Sequence, residues 1–125
     1  RTEDGQSLAD ARHLIRSGEI SRLRQAENTT IGVVATNAVL TKSQAKKIAQ
    51  MAHDGLARTI VPAHTPVDGD TIFALATGKL SGAPDMLTIG ALAAEVMAEA
   101  VVRAVRQATS IPGYPAARDF DLSHP

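Results

Sequence analysis

Two apolar runs of strand type, separated by one well-marked helix, constrain this chain more than any other feature. Residues 31–36 (Ile-Gly-Val-Val-Ala-Thr) and 71–77 (Thr-Ile-Phe-Ala-Leu-Ala-Thr) are small, β-branched or apolar along their length. That pattern is typical of strands buried from both sides in a layered α/β fold. Because two strands make a poor sheet by themselves, we expect another polypeptide, or an N-terminal portion outside this chain, to complete the sheet.

The helix between the two runs has a marked start and a marked buried side. Thr41-Lys42-Ser43-Gln44 matches a capping box, in which the Thr41 hydroxyl accepts from the Gln44 backbone N–H and the Gln44 side chain reaches back. Apolar residues then recur at helical steps until Pro62 stops the helix: Ala45, Ile48, Ala49, Ala52, Leu56 and Ile60. Gly55 within this pattern costs about 1 kcal/mol relative to alanine, which indicates close approach of another backbone.

The remaining segments are a second long helix and two irregular ends. The helix is predicted to begin between Asp85 and Thr88 and to end at the Ile-Pro-Gly of residues 111–113, with its stripe formed by Leu92, Val96, Ala100 or Met97, and Ala104. Residues 114–125 are expected to be an extended tail held, if at all, by Tyr114 and Phe120. Residues 1–28 carry charges of mixed sign and are interpreted as a linker rather than a surface helix.

Composition excludes several kinds of partner. Lys+Arg and Asp+Glu both total 13 and aromatic residues make up 2%, so the chain has neither the basic excess nor the stacking surface that nucleic-acid binding uses. The absence of cysteine removes disulfides, thiolate metal sites and a cysteine nucleophile. The longest apolar segment, residues 87–105, contains Glu95, Glu99 and Arg103, which a membrane-spanning helix would hardly tolerate. We expect a cytoplasmic protein that binds neither nucleic acid nor membrane.

Asn28-Thr29-Thr30 places a hydroxyl directly before the first apolar run. A threonine hydroxyl is a poor nucleophile unless a base lies beside it, and the α-amine of an N-terminal threonine, with a pKa of about 7.7 to 8.0, can be that base. Thr29 is internal, so this chemistry requires a cut between Asn28 and Thr29. From these residues alone, an ordinary threonine at a strand edge is the commoner explanation, and the triplet also matches an N-glycosylation acceptor.

Asp68-Gly69-Asp70 sets two carboxylates two residues apart, immediately before the second run. An extended backbone would aim both at one side, where they could orient an amine or hold a threonine hydroxyl. An Asp-Gly turn explains the same residues, and on the sequence alone this turn is the favoured interpretation. His64 together with Asp68 and Asp70 also allows a metal site within one loop, although the pattern has low specificity.

Four segments taken together resemble a known group of enzymes. They are Asn-Thr-Thr-Ile-Gly-Val-Val-Ala-Thr-Asn at 28–37, Met-Ala-His-Asp-Gly-Leu-Ala-Arg at 51–58, Ala-His-Thr-Pro-Val-Asp-Gly-Asp-Thr at 63–71 and Phe-Ala-Leu-Ala-Thr-Gly at 73–78. The group is the self-cleaving aminopeptidase family that includes the L-aminopeptidase/D-esterases, the β-peptidyl aminopeptidases and the nylon-oligomer (6-aminohexanoate oligomer) hydrolase. The similarity is greatest to the nylon-oligomer hydrolase branch, whose nucleophile is threonine rather than serine, and it concerns the C-terminal subunit.

The resemblance implies an α/β fold, a four-layer αββα sandwich of the N-terminal-nucleophile type, to which this chain supplies a strand-helix-strand-helix part. Residues 1–28 would be a linker or the end of the N-terminal subunit region, and residues 29–125 the nucleophile-bearing subunit region. The partners implied are the N-terminal fragment of the same precursor, further copies in a homo-oligomer, and a small peptide or amide substrate.

The resemblance also implies the chemistry. Thr29 would be the nucleophile exposed by autocleavage between Asn28 and Thr29, and Asp68 and Asp70 would contact its amine and hydroxyl. The oxyanion-stabilising asparagine, with a lysine or tyrosine, would belong to the N-terminal subunit, and neither a metal nor a cofactor is expected. The expected activity is that of an aminopeptidase or amino-acid-oligomer hydrolase; the alternative is a non-catalytic structural or assembly subunit of the same fold that stays uncleaved.

Overall fold

The predicted order of strand, helix, strand, helix is confirmed in the computed structural model, which describes residues 8–19, 29–66 and 68–120. The elements are α1 (Ala11–Arg16), β1 (Ile31–Ala38), α2 (Lys42–Thr59), β2 (Thr71–Leu80), α3 (Met86–Gln107) and a short 3₁₀ helix (Ala117–Asp119). Both strands extend two or three residues beyond the predicted runs, because Ala38 pairs with Leu80 after a shift in register. Within the described ranges the fold is therefore α/β, with one small parallel sheet.

β1 and β2 are parallel, with α2 as the crossover between them. Ile31 lies opposite Thr71 and Val33 opposite Phe73. The face that carries Val34 and Ile72 is buried against the helices. On the other face, Ile31 is 70% exposed, Val33 and Phe73 are each 56% exposed and Leu75 is 57% exposed. The predicted burial is thus confirmed on the face toward the helices. No element of the described residues packs on the other face, so burial there, which depends on a further polypeptide, stays a prediction.

The core lies between α2, α3 and the covered face of the sheet. Its centre is the predicted stripe of α2, in which Ala52 and Leu56 are fully buried and Ile48 nearly so. The capping box at the start of α2 is confirmed, since the Gln44 N–H donates to Thr41 Oγ1 over 3.3 Å and the Thr41 N–H donates to Gln44 Oε1 over 2.8 Å. Local capping and burial of one helix face therefore specify the same element.

α2 and α3 pack together through small residues. A Cβ atom on Gly55 would lie 2.5 Å from the Ala94 carbonyl oxygen and 2.7 Å from Met97 Cβ, so the expected close approach of another backbone is confirmed. α3 turns its small side toward α2, with Gly90, Ala93, Ala94 and Met97 buried. The predicted stripe is therefore right at Met97 and wrong at Leu92, Val96 and Ala104, which are exposed, because Gly90, Ala93 and Ala94 permit the closest contact with α2.

The two ends of α3 differ in how well the sequence predicted them. Asp85 caps the start by accepting from the Leu87 and Thr88 backbone N–H groups, each over 3.1 Å, which confirms the predicted beginning. The helix ends at Gln107, four residues before the predicted stop at Ile111.

The segment after α3 is folded rather than extended. The Ala116 N–H donates to Ser110 Oγ over 3.0 Å and to Asp119 Oδ2 over 2.8 Å, and the Ser110 hydroxyl also bonds to Asp119. We call Ser110, Ala116 and Asp119 the C-terminal clamp. Of the two predicted anchors, Tyr114 is largely exposed and Phe120 is half-buried. The prediction of an extended tail is wrong for residues 114–120, which polar bonds hold, and residues 121–125 lie outside the described ranges.

Little of the N-terminal segment is described. α1 begins after Asp10, whose carboxylate accepts from the Arg12 N–H over 2.9 Å, and it buries none of its residues. Residues 1–7 and 20–28 lie outside the described ranges, so the linker at 1–28 stays a prediction. Across the ranges that are described, every helix is too short or too polar to traverse a bilayer.

Candidate functional site

The candidate nucleophile and the candidate carboxylates lie at the edge of the sheet where both strands begin. Thr29 and Thr30 precede β1, and Asp68, Gly69 and Asp70 precede β2. Because the strands are parallel with Ile31 opposite Thr71, the same register continued backwards sets Thr30 beside Asp70 and Thr29 beside Gly69. The structure therefore brings together segments some forty residues apart in sequence, while Asn28, the other half of the expected cleavage site, lies outside the described residues.

Asp70 fixes the backbone next to the candidate nucleophile. Its Oδ1 atom accepts a hydrogen bond from the Thr30 N–H over 2.8 Å, and the Thr71 N–H donates to the Thr30 carbonyl over 2.9 Å. The next acceptor of a regular ladder would be the Gly69 carbonyl, but this oxygen accepts from the Thr71 hydroxyl over 3.1 Å. The Asp70 carboxylate thus takes the place of a ladder carbonyl and holds the residue that follows Thr29.

Thr29 is exposed and lies directly beside Gly69. Its hydroxyl oxygen is 2.8 Å from the position that a Cβ atom on Gly69 would occupy. In the part of the chain that the structure describes, this hydroxyl makes no hydrogen bond to Asp68 or Asp70. The resemblance implies that Asp68 and Asp70 contact both the α-amine and the hydroxyl of a terminal Thr29. An uncut Asn28–Thr29 bond provides no such amine, and the hydroxyl bonds to neither carboxylate here, so both contacts stay predictions for the cut form.

Asp68 belongs to a turn as well as to the candidate site. Its Oδ2 atom accepts from the Thr65 N–H over 3.0 Å, and its own N–H donates to the Thr65 carbonyl over 3.1 Å. These reciprocal bonds are the turn chemistry that the sequence indicated for this aspartate. Both Asp68 and Asp70 are half-buried, and each uses one carboxylate oxygen to accept from a backbone N–H.

Two histidines link the loop before Asp68 to α2. The rings of His53 and His64 are in edge-to-face contact, with centroids 5.2 Å apart and planes at 69°. His53 is half-buried, which suits a structural histidine, and His64 has a positive φ of 59°. His64 is not gathered with Asp68 and Asp70 into a metal-binding cluster: within the described residues, no three His, Asp or Glu side chains form a group able to hold a metal ion.

The clearest pKa shifts belong to caps and turns outside this site. Hydrogen bonds from the Ser110 hydroxyl and the Ala116 N–H lower the pKa of Asp119. Bonds from the Thr88 hydroxyl and N–H lower the pKa of Asp85. These shifts mark the two ends of α3, so they report on the fold and not on the edge of the sheet that holds Thr29.

Sequence reasoning missed the two neighbours that the register supplies, Thr30 and Gly69. The sequence assigned Thr30 no role of its own, and Gly69 was interpreted as part of an Asp-Gly turn. The pairing of Ile31 with Thr71 is what reveals both residues, because the residues just before each strand then lie side by side. Using that signal requires knowing that the strands are parallel and paired, which no local pattern states.

Comparison with known proteins identifies the family. The model described as "Peptidase family S58" matches residues 4–118. The chain is 47% identical over 106 residues to an uncharacterized aminopeptidase of Mycobacterium tuberculosis, covering 74% of this chain and 31% of that protein. It is 34% identical over 101 residues to a 6-aminohexanoate-oligomer endohydrolase of Kocuria sp., covering 70% of this chain and 28% of that protein.

A third relative, the 6-aminohexanoate-oligomer endohydrolase of Paenarthrobacter ureafaciens, is 33% identical over 99 residues, covering 69% of this chain and 27% of that protein. The chain thus spans roughly a third of the length of the curated relatives it matches. These findings confirm the family that the four sequence segments predicted. Among these relatives the identity is higher to the mycobacterial aminopeptidase, at 47%, than to the two oligomer endohydrolases, at 34% and 33%, so greatest similarity to the nylon-oligomer hydrolase branch is not what they show. The chain belongs to peptidase family S58.

Proposed function

We propose that this chain is the nucleophile-bearing part of an amide hydrolase, with Thr29 freed by autocleavage between Asn28 and Thr29 and with Asp68 and Asp70 as its acidic neighbours. The observation that carries the proposal is the strand register, which sets Thr29 beside the Asp68-Gly69-Asp70 segment at one edge of the sheet. The printed names of the relatives, aminopeptidase and 6-aminohexanoate-oligomer endohydrolase, support amide hydrolysis as the reaction class.

The first reaction is self-cleavage. The Thr29 hydroxyl oxygen attacks the carbonyl carbon of Asn28, the C–N bond of that peptide breaks, and the proton that the hydroxyl loses passes to the Thr29 nitrogen, which becomes an amine. The resulting ester joins the Asn28 acyl group to the Thr29 oxygen, and water hydrolyses it to a carboxyl group and a free hydroxyl. Asp70 contributes by holding the Thr30 backbone through its 2.8 Å bond, which fixes the chain on the nucleophile side of the scissile bond.

The second reaction acts on the substrate. The new α-amine, with a pKa of about 7.7 to 8.0, takes the hydroxyl proton as Thr29 attacks the substrate carbonyl. The tetrahedral intermediate expels the substrate amine, which leaves protonated, and water then releases the acyl group from Thr29. The carboxylate oxygens of Asp68 and Asp70 that do not accept from Thr65 and Thr30 orient the amine. This scheme requires neither a metal nor a cofactor.

The open face of the sheet supports an assembly of two fragments. Strand alternation places Thr29 on the same face as Ile31 and Val33, both of which are exposed. A second sheet packed about 10 Å above this face would bury them and would form the αββα sandwich. The N-terminal fragment of the same precursor supplies that sheet, so residues 1–28 end or follow that fragment and residues 29–125 form the nucleophile-bearing region.

The same alternation bears on the remaining parts of the active site. A layer that covers Ile31 and Val33 also reaches the Thr29 hydroxyl, because all three lie on one face. The oxyanion donors and the pocket walls for a small peptide or amide therefore come from the N-terminal fragment, and each donor contributes about 10²- to 10³-fold in rate. The two-fragment units associate into a homo-oligomer in the cytoplasm.

The test is the fate of the Asn28–Thr29 bond in the full-length protein. We expect two fragments on a denaturing gel for the parent protein and for Thr29→Ser, which keeps a hydroxyl, and one uncut chain for Thr29→Ala. If Thr29→Ala gave the same two bands on the gel as the parent protein, Thr29 would be excluded as the nucleophile. A parent protein that stays uncut would favour the alternative of a non-catalytic assembly subunit.

A further inference from the structure

Gly69 lies against the hydroxyl group of Thr29. The three heavy atoms nearest to a Cβ atom built on Gly69 all belong to Thr29: Oγ1 at 2.8 Å, Cγ2 at 3.7 Å and Cβ at 3.8 Å. Only the distance to the hydroxyl oxygen is too short for contact between real atoms; the two carbons lie at ordinary van der Waals separations. The space that a side chain at residue 69 would need is therefore the space that the hydroxyl occupies.

The backbone itself does not require glycine at residue 69. Among the described glycines, a positive φ occurs at Gly18, Gly78, Gly82 and Gly113, where a side chain would be strained wherever it pointed. Gly69 is outside that set, so its conformation suits other residues. What excludes a side chain there is the neighbouring hydroxyl and not the path of the chain.

We propose that Gly69 is a positioning residue for the nucleophile: its missing side chain leaves room for the rotamer in which the Thr29 hydroxyl lies against residue 69 of the Asp68-Gly69-Asp70 segment. The proposal rests on Thr29 being the nucleophile. Threonine is stiff about χ1 because two heavy atoms branch from its Cβ. A methyl group on residue 69 would therefore turn the hydroxyl away as a unit with Cγ2, and a displacement of about 1 Å can cost about 10²-fold in rate.

The experiment is the rate of self-cleavage in the full-length protein, followed by denaturing gel and intact mass. We expect Gly69→Ala to slow the appearance of fragments by about 10²-fold while the melting curve followed by circular dichroism keeps its midpoint. Gly32→Ala is the matched control, because it adds the same methyl group to β1 on the other face, where it meets the flexible end of Met97 at 2.8 Å. We expect Gly32→Ala to cleave at the parental rate.

Rescue distinguishes positioning from a general disturbance of the loop. Serine at residue 29 lacks Cγ2, so its oxygen can yield to the new methyl group by a small rotation about χ1 and stay close to its original place, whereas threonine must move a second heavy atom with it. We therefore expect Gly69→Ala to slow cleavage much less in a Thr29→Ser background than in the parent, a coupling that a double-mutant cycle measures. If Gly69→Ala does not fold, recovery of folding by Thr29→Ser supports the same collision, and failure to recover overturns it.

The contrary outcomes separate the two proposals. A parent protein cleaved at Asn28–Thr29 together with a Gly69→Ala protein cleaved equally fast would overturn the role of Gly69 and leave the proposed function standing. Equal slowing by Gly69→Ala in both backgrounds would assign it a structural role and also overturn the inference. A parent protein that is never cut would overturn the proposed function, and the role of Gly69 with it.

Discussion

The crossing of α2 and α3 at Gly55 allows a prediction in which two opposing effects can be weighed. Replacing Gly55 with alanine removes a residue that disfavours helices, which by itself would stabilise α2 by about 1 kcal/mol. The new methyl group would lie 2.5 Å from the Ala94 carbonyl oxygen, 2.7 Å from Met97 Cβ and 2.8 Å from the Ala98 nitrogen. These distances are 0.6 to 0.9 Å short of the 3.4 Å at which ordinary contact begins.

The collision outweighs the gain in helix propensity. Two of the three atoms belong to the backbone of α3, so a change of side-chain rotamer cannot relieve the contact and the helices must separate. Overpacking of this kind costs about 1–3 kcal/mol, and rigid neighbours favour the upper part of that range. We expect Gly55→Ala to lower the free energy of unfolding by about 1–2 kcal/mol after the propensity gain is subtracted.

Urea denaturation of the full-length protein, followed by circular dichroism, measures this change. Gln50 is an exposed position in the same helix, so the difference between Gln50→Ala and Gln50→Gly gives the propensity effect without the collision. If Gly55→Ala stabilises the protein by that same difference, α3 does not approach Gly55 and the described packing is wrong. A loss of stability with a normal propensity difference at Gln50 supports it.

Two further predictions concern Asp70 and the C-terminal clamp. Asp70→Asn keeps an oxygen that can accept from the Thr30 N–H but loses the negative charge, so we expect this variant to self-cleave normally and to hydrolyse substrate poorly. Asp70→Ala loses the acceptor as well, so we expect it both to self-cleave slowly and to hydrolyse substrate poorly. Equal self-cleavage rates for Asp70→Asn and Asp70→Ala on denaturing gels would contradict the anchoring role. The pKa of Asp119 is lowered by the Ser110 hydroxyl, so the clamp's contribution to stability is complete above the ordinary aspartate pKa of about 3.9 and is lost as pH falls through the lowered value. Ser110→Ala should raise the carboxyl titration midpoint of Asp119 measured by carbon NMR, and an unchanged midpoint would refute the cause given.

The local features of the fold could be predicted from the sequence. The capping box at Thr41 and the helical spacing of Ile48, Ala52 and Leu56 specify α2, because each depends only on neighbours within one or two turns. The start of α3 at Asp85 follows from the same kind of local hydrogen bonding. Gly55 could be interpreted correctly because a glycine inside a helix that is otherwise regular needs a packing reason.

Features set by distant contacts could not be predicted. The sequence placed Leu92 and Val96 in the core, but α3 buries its smaller side because contact with α2 is closest there. Likewise Tyr114 looked like the anchor of the tail, although the clamp is formed by Ser110 and Asp119, whose pairing across a turn leaves no periodic signal.

The candidate site lies between these two cases. Thr29 and the Asp68-Gly69-Asp70 segment were recognised through their resemblance to a family. Taken alone, the same residues are equally well explained as a strand-edge threonine and an Asp-Gly turn. The bond from Asp70 to the Thr30 N–H and the contact of Gly69 with the Thr29 hydroxyl follow from strand pairing. Such pairing depends on residues forty positions apart and cannot be inferred from either segment alone.

The central claim is that the bond between Asn28 and Thr29 is cut and that Thr29 becomes a chain terminus. N-terminal sequencing of the purified full-length protein, together with its intact mass, tests this claim most directly. We predict a fragment that begins Thr29-Thr30-Ile31-Gly32, present in equal amount with a fragment that ends at Asn28. A single species that runs uninterrupted through Asn28–Thr29 would contradict the account.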